Sequence, residues 1–145
     1  RHYDKKLVDH YIELMGLKGF ESAYPHQVSG GMAQRAALAR SIVLRPELLL
    51  LDEPMGALDA FTRADVQDVI QRVWKQTKTT MILVTHDIDE AIYLGTRIVV
   101  MTPRPGRIKE IVSNPLTFPR DRTSNQFLEF RREIQDKLNF GVAEN

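Results

Sequence analysis

The sequence has no cysteine, which excludes a disulfide scaffold and any thiolate metal site and fits a reducing compartment without requiring one. It has no surplus of either charge: 20 Lys and Arg stand against 19 Asp and Glu, a formal net charge of +1. A broad positive field that would hold nucleic acid is therefore lacking, and nucleic acid is not the expected partner. No run approaches the roughly 20 apolar residues that cross a bilayer, and the opening RHYDKKLVDH has no apolar core of a signal peptide. The expectation is a protein that is soluble or peripheral to a membrane. His2, His10 and His26 are scattered without ligand spacing and read as surface or capping residues. The chain begins with Arg1 rather than Met, which suits a fragment or a processed chain. What is there, 145 residues at 43% hydrophobic and 27% charged, suits one globular domain or part of one. Such a length buries about 70% of its unfolded surface when its elements complete a core.

Periodicity divides the chain into alternating helices and strands. Leu7, Val8, Tyr11, Ile12, Leu14 and Met15 recur at helical spacing and Gly16 is a natural stop. Residues 17–28, with Gly19, Pro25 and His26, read as a connection. Ser29 is an N-cap for GGMAQRAALARSIVL, in which Met32, Ala36, Ala39 or Arg40, and Val43 trace one face, with Arg45 and Pro46 ending the helix. Leu48 to Leu51 is apolar on both faces, as a parallel strand covered on each side must be. Asp59 can cap a helix over 60–76 with Val66, Val69, Ile70 and Val73 inward, and TMILVT over 80–85 reads as a second buried strand. A short helix over 87–94 stops at Gly95, RIVVM at 97–101 is a third strand, and PRPG at 103–106 turns it into a hairpin with RIKEIV. The tail from Ser124 to Leu138 puts Phe127, Phe130, Ile134 and Leu138 on one helical stripe. Strands alternating with helices predict an α/β layered sheet.

In an open α/β sheet, ligands collect at the carboxyl ends of the strands. Asp52 and Glu53 follow the first strand directly, and His86 follows the second. A lone carboxylate such as Asp52 suits magnesium, which takes oxygen ligands and accepts one or two carboxylates beside phosphate oxygens. Glu53, pointing elsewhere, can take a proton from an attacking water. An acidic turn after a buried strand is an equally ordinary reading of the dipeptide alone. Ser29, Gly30 and Gly31 open a helix, so unpaired amides face outward at the positive end of its dipole, a ready phosphate site; a capped helix with a flexible first turn is the plain alternative.

Four segments occur in order: SGGMAQR, LLLLDEP, GALD and THD, with 16 residues between Gly31 and Leu48 and 32 between Glu53 and His86. Together they resemble the signature motif, Walker B, D-loop and H-loop of ATP-binding cassette ATPases. The resemblance implies a partial P-loop NTPase (RecA-like) core with a mainly parallel sheet, plus a helical signature subdomain. It implies ATP and Mg2+ as cofactors and a second ATP-binding subunit paired head to tail. Ser29, Gly30, Gly31 and Gln34 would then bind the nucleotide held by that partner, with Asp52 supporting magnesium. Glu53 would orient or deprotonate the attacking water, His86 would reach the γ-phosphate, and Asp59 would couple the two sites. Val28, Met32 and Gly56 depart mildly from the usual leucine, glutamine and serine.

The larger departure is an absence. No lysine follows a glycine, so GxxxxGK[ST] does not occur, and the Walker A half of the site is missing. The chain thus reads as the C-terminal part of an ATPase, inactive alone: 1–45 the helical subdomain with the signature, 46–115 the second half of the catalytic core, 116–145 a C-terminal linker and helix. The segment DEAIYLGTRIVVMTPRPGRIKEIV and the tail PRDRTSNQFLEFRREI resemble ATPase subunits of bacterial importers for nitrate, sulfonates, taurine or bicarbonate. That resemblance implies transmembrane permease subunits as partners, a solute-binding protein indirectly, and a peripheral position on the cytoplasmic face of the inner membrane. PRDRTS itself reads as a surface linker whose Thr123 or Ser124 caps the last helix. Two alternatives carry their own signatures. A DNA-repair ATPase lobe of the SMC/Rad50 kind would need heptads before Ser29, which the first 28 residues lack; a naturally truncated, non-catalytic module would be told apart by the upstream coding sequence.

Overall fold

The computed structural model describes residues 4–139, which fall into two compact units, one ending at Val84 and the other beginning at Thr85. Packing thus groups residues differently from the division by motif at 45/46 and 115/116. His2 lies outside the described residues.

In the first unit, α1 (Lys5–Leu14), α2 (Gly30–Ile42) and α3 (Ala60–Thr77) accompany β1 (Leu48–Asp52) and β2 (Thr80–Val84). α1 starts where the Asp4 carboxylate accepts the Leu7 amide at 3.2 Å. It ends ahead of Gly16, whose φ of +66° favours glycine. The connection to α2 includes a 3₁₀ turn at Pro25–Gln27, which the Gln27 side chain fastens by accepting the Tyr24 amide at 2.8 Å. His10 sits edge-on to Tyr11, and His26 stacks on Tyr24.

Ser29 caps α2 as expected, its Oγ accepting the Met32 amide at 3.2 Å. The buried face of α2 is Gly31, Leu38 and Ile42 rather than the stripe through Met32, Ala36 and Val43. Gly31 tucks against α3, and that contact, invisible to periodicity, sets the rotation of the helix. On α3 the expected Val66, Val69, Ile70 and Val73 are all buried, joined by Gln67 and Gln71. The helix closes at Lys78, a left-handed C-cap at φ +54°.

β1 and β2 pair in parallel, from Leu48 opposite Thr80 to Asp52 opposite Val84, with α3 as the crossover. The expectation that both strands are covered on both faces does not hold. Leu49 is 7% exposed, whereas Leu50 is 66%, Ile82 50% and Val84 53% exposed. One layer of helices packs on this pair, and among the described residues of the unit no second layer covers the other face.

The second unit packs α4 (Ile88–Leu94) and α5 (Asn125–Asn139) on the antiparallel hairpin of β3 (Arg97–Met101) and β4 (Ile108–Ser113). Its core is Ile92, Tyr93, Ile98, Val100, Phe127, Phe130 and Ile134. Leu138, assigned to the same stripe, is 42% exposed, because the last turn of α5 runs past this cluster. Ser124 provides the cap, its Oγ accepting the Phe127 amide at 3.2 Å. The α/β class stands, with one parallel pair and one antiparallel hairpin.

PRDRTS is not merely a surface linker. Arg120 is buried, and its Nη1 donates to the carbonyls of Ile92, Tyr93 and Gly95 at 2.7, 2.9 and 2.9 Å. Its Nε donates to Leu116 O at 3.1 Å, and the guanidinium lies over the Phe118 ring. Asn114 Nδ2 shares the Ile92 and Gly95 carbonyls at 2.8 and 2.9 Å. The last carbonyls of a helix lack partners within it, and a cation there also meets the negative end of the dipole. Arg120 is thus the C-terminal clamp of α4. Burial pushes its guanidinium down to about 10, still protonated at neutral pH.

Candidate active site

β1 carries Asp52 to the rim of the sheet, where it ends the pairing opposite Val84. The Glu53 amide then donates to Val84 O at 2.9 Å, and Glu53 itself turns left-handed at φ +45°. Such a backbone in a non-glycine residue costs of order 1–3 kcal/mol and persists where its surroundings hold it. Here a knit loop does so: Gly56 N donates to Glu53 O at 3.2 Å and Leu58 N to Met55 O at 3.1 Å, with Met55 buried as the anchor. A Cβ at Gly56 would stand 3.6 Å from Glu53 O and 4.0 Å from its Oε2, ordinary contacts, so a small side chain would fit there.

The loop ends at Asp59, the N-cap of α3. Its Oδ1 accepts the amides of Phe61 and Thr62 at 3.1 and 3.0 Å, and its Oδ2 accepts the Thr62 hydroxyl at 2.6 Å. These bonds, the Thr62 hydroxyl first, hold the Asp59 carboxyl below the usual range.

The first turn of α2 rests against this same loop. A Cβ on Gly30 would come within 3.2 Å of Leu58 Cδ2, and one on Gly31 would overlap Thr62 Cγ2. Both glycines are therefore explained by packing within the chain, Gly31 above all. Helix geometry leaves the first amides without intrahelical partners. Ser29 takes the Met32 amide, which leaves that of the exposed Gly30 for an outside acceptor, while Gly31 is buried.

Gln34 lies elsewhere. With Ser41, Asp52, Glu53 and Pro54 it lines a cleft of about 240 Å³ bounded by α2, the end of β1, and α3. The first unit thus brings its predicted residues together in two groups: Gln34 with both carboxylates, and Ser29, Gly30 and Gly31 beside the loop that ends in Asp59. His86 belongs to the second unit, at the turn into α4, where Asp87 N donates to Thr85 Oγ1 at 3.0 Å and the Asp87 carboxylate caps the helix. Sequence reasoning missed Thr62. The available signal was its position three residues after an N-cap aspartate, where a hydroxyl can reach back to the cap.

The donor type at Asp52 is one that magnesium accepts. Asp52 is one exposed oxygen donor, and magnesium in nucleotide sites takes few protein carboxylates. Among the described residues no group of three or more His, Asp or Glu forms a metal cage of its own.

Solved structures set the class. The chain is similar to cbiO1 from Clostridium perfringens, part of the ABC transporter complex cbiONQ, at TM-score 0.71 and 26% identity over 95% of this chain and 50% of that one. It is also similar to the ATP-binding cassette MJ0796, solved as a post-hydrolysis dimer bound to ADP and Pi, at TM-score 0.60 and 28% identity over 77% and 47% of the two chains. The fold is thus that of the ABC-type P-loop NTPase domains.

The model of the ABC transporter family matches residues 2–56. The aliphatic sulfonates import ATP-binding protein SsuB of Bacillus cereus is 50% identical over 139 residues, 96% of this chain and 55% of that protein. SsuB of Bacillus subtilis is 52% identical over 130 residues, 90% and 51% of the two chains. The chain is thus similar, over nearly all of its length, to ATP-binding subunits of ABC transporters, and residues 2–56 match that family's model. It spans about half the length of the curated relatives it matches.

Proposed function

We propose that the chain supplies the signature, metal-supporting and water-activating portion of an ATP-hydrolysing subunit that powers import of a small solute. The observation that carries this reading is the packing of Gly30 and Gly31 against Leu58 and Thr62. It sets the first turn of α2 beside the loop that leads on from Asp52 and Glu53.

Ser29, Gly30 and Gly31 present amides and a hydroxyl to the γ-phosphate of ATP held by a second ATP-binding subunit, with Gln34 following on the same helix. Asp52 holds Mg2+, directly or through water. When bound with ATP, that ion neutralises phosphate charge and fixes the phosphate oxygens. Glu53 accepts the proton of the attacking water, its direction set by the left-handed turn at its own backbone. His86 contacts the γ-phosphate, and Asp59 links the two composite sites. By this reading the functional segments are 1–45, 46–115 and 116–145.

The likeness to proteins named for aliphatic sulfonate import favours a sulfonate as the solute, in an assembly with permease subunits and a solute-binding protein. The position is peripheral, on the cytoplasmic face of the inner membrane. In support, no helix among the described residues is long and apolar enough to cross a membrane.

No GxxxxGK[ST] sequence is present, so the reading makes a sharp demand. In isothermal titration the chain alone shows no micromolar Mg-ATP binding and no hydrolysis, while a complete subunit containing it does both. Tight binding by the chain alone would overturn the division of the site.

A further inference from the structure

We propose that Thr62 is a positioning residue that fastens the first turn of α2 and Asp59 into one rigid edge; that this edge faces a phosphate rests on the function proposed above. Thr62 is held between two elements by its two branches. Its hydroxyl donates to Asp59 Oδ2 at 2.6 Å, and its amide donates to Asp59 Oδ1 at 3.0 Å. Its γ-methyl occupies the space that the missing Cβ of Gly31 leaves, and Gly31 is buried there.

A β-branched side chain is stiff about χ1, so neither branch can yield without moving the other. Displacing the methyl swings the hydroxyl away from Asp59, and freeing the hydroxyl loosens the methyl. Leu58 adds a second contact of the same kind against Gly30, and Arg63 Nη2 holds the Leu58 carbonyl at 3.1 Å. The helix that begins at Ser29 and the helix that begins at Asp59 therefore share their N-terminal ends. A force on one is transmitted to the other chiefly through Thr62.

The two branches make separable predictions. Gly31→Ala places a methyl on Thr62 Cγ2, and hydrogen exchange in the first turn of α2 rises by roughly tenfold or more. Adding Thr62→Ser removes only the obstructing methyl and keeps the hydroxyl, so the double variant returns to within about threefold of the parent. Thr62→Val keeps the shape and removes the donor. Exchange at α2 then stays near the parent, while in a complete subunit kcat falls severalfold with the KM for Mg-ATP unchanged, because Asp59 has lost its fastening.

Equal exchange in Gly31→Ala and in the double variant would overturn the methyl contact. Parental kcat in Thr62→Val would overturn the hydroxyl branch. A complete subunit that never hydrolyses Mg-ATP, with the exchange results as expected, would overturn the phosphate-facing part together with the function it rests on and leave the packing standing.

Discussion

Replacing Arg120 with methionine keeps an unbranched apolar stem but removes every donor that clamps the end of α4. Four bonds are lost, to the carbonyls of Ile92, Tyr93, Gly95 and Leu116. Asn114 Nδ2 still serves Ile92 and Gly95, so the uncompensated loss falls on Tyr93 and Leu116. A hydrogen bond from a charged group contributes about 1.5–3 kcal/mol net, and part of the loss is offset because a cation is no longer buried. The expected cost is about 2–4 kcal/mol, confined to the unit from Thr85 onward. The single tryptophan, Trp74, reports on the other unit, so fluorescence is the wrong probe. Hydrogen exchange is the right one: amides in the last turn of α4 should exchange roughly 30- to 900-fold faster at neutral pH. The effect should be flat from about pH 6 to 9, where the guanidinium is protonated folded and unfolded alike. The folded value, about 10, lies below the ordinary arginine range, so stability from this group rises only above pH 10, where the unfolded chain binds the extra proton. Arg120→Lys should recover little, since one ammonium cannot span this fan of acceptors. Exchange in Arg120→Met within threefold of the parent would refute the clamp.

The exposed face of β1 makes Leu49→Ala and Leu50→Lys unequal. In the chain alone the first should cost about 2–4 kcal/mol by urea denaturation and the second under about 0.5, since Leu49 is 7% and Leu50 66% exposed. Equal costs would mean the strand is covered on both faces. Asp59 makes α3 acid-sensitive: its folded pKa is depressed, so its contribution is present above the ordinary carboxylate range and lost as pH falls through the folded value. Protection against exchange in the first turn of α3, relative to the unfolded chain, should fall below about pH 4, and Asp59→Asn should abolish that fall. A dependence surviving in Asp59→Asn would point to another group.

Much of the fold was legible because caps and periodicities are local. Ser29, Asp59 and Ser124 each cap the helix that follows, as their positions announce. What the sequence hid depends on partners far along the chain. Leu48 to Leu51 looks buried on both faces because its composition is apolar on both, yet coverage is a property of neighbouring layers. Arg120 reads as a surface residue within PRDRTS, and nothing near it announces that carbonyls 25 to 28 residues earlier converge on its guanidinium. The site was legible as motifs: both acids lie at the end of β1, and Ser29 and its glycines begin α2. Its internal wiring was not, since Gly31 against Thr62 joins two motifs through a contact that neither contains.

The central claim is that this chain holds the water-activating carboxylate of an ATP-hydrolysing subunit, and Glu53→Gln tests it most directly. The substitution preserves size and removes the base. In a complete subunit, Mg-ATP affinity should stay within a few-fold of the parent while single-turnover hydrolysis falls by about 10²-fold or more. Hydrolysis near the parental rate, with binding intact, would contradict the account.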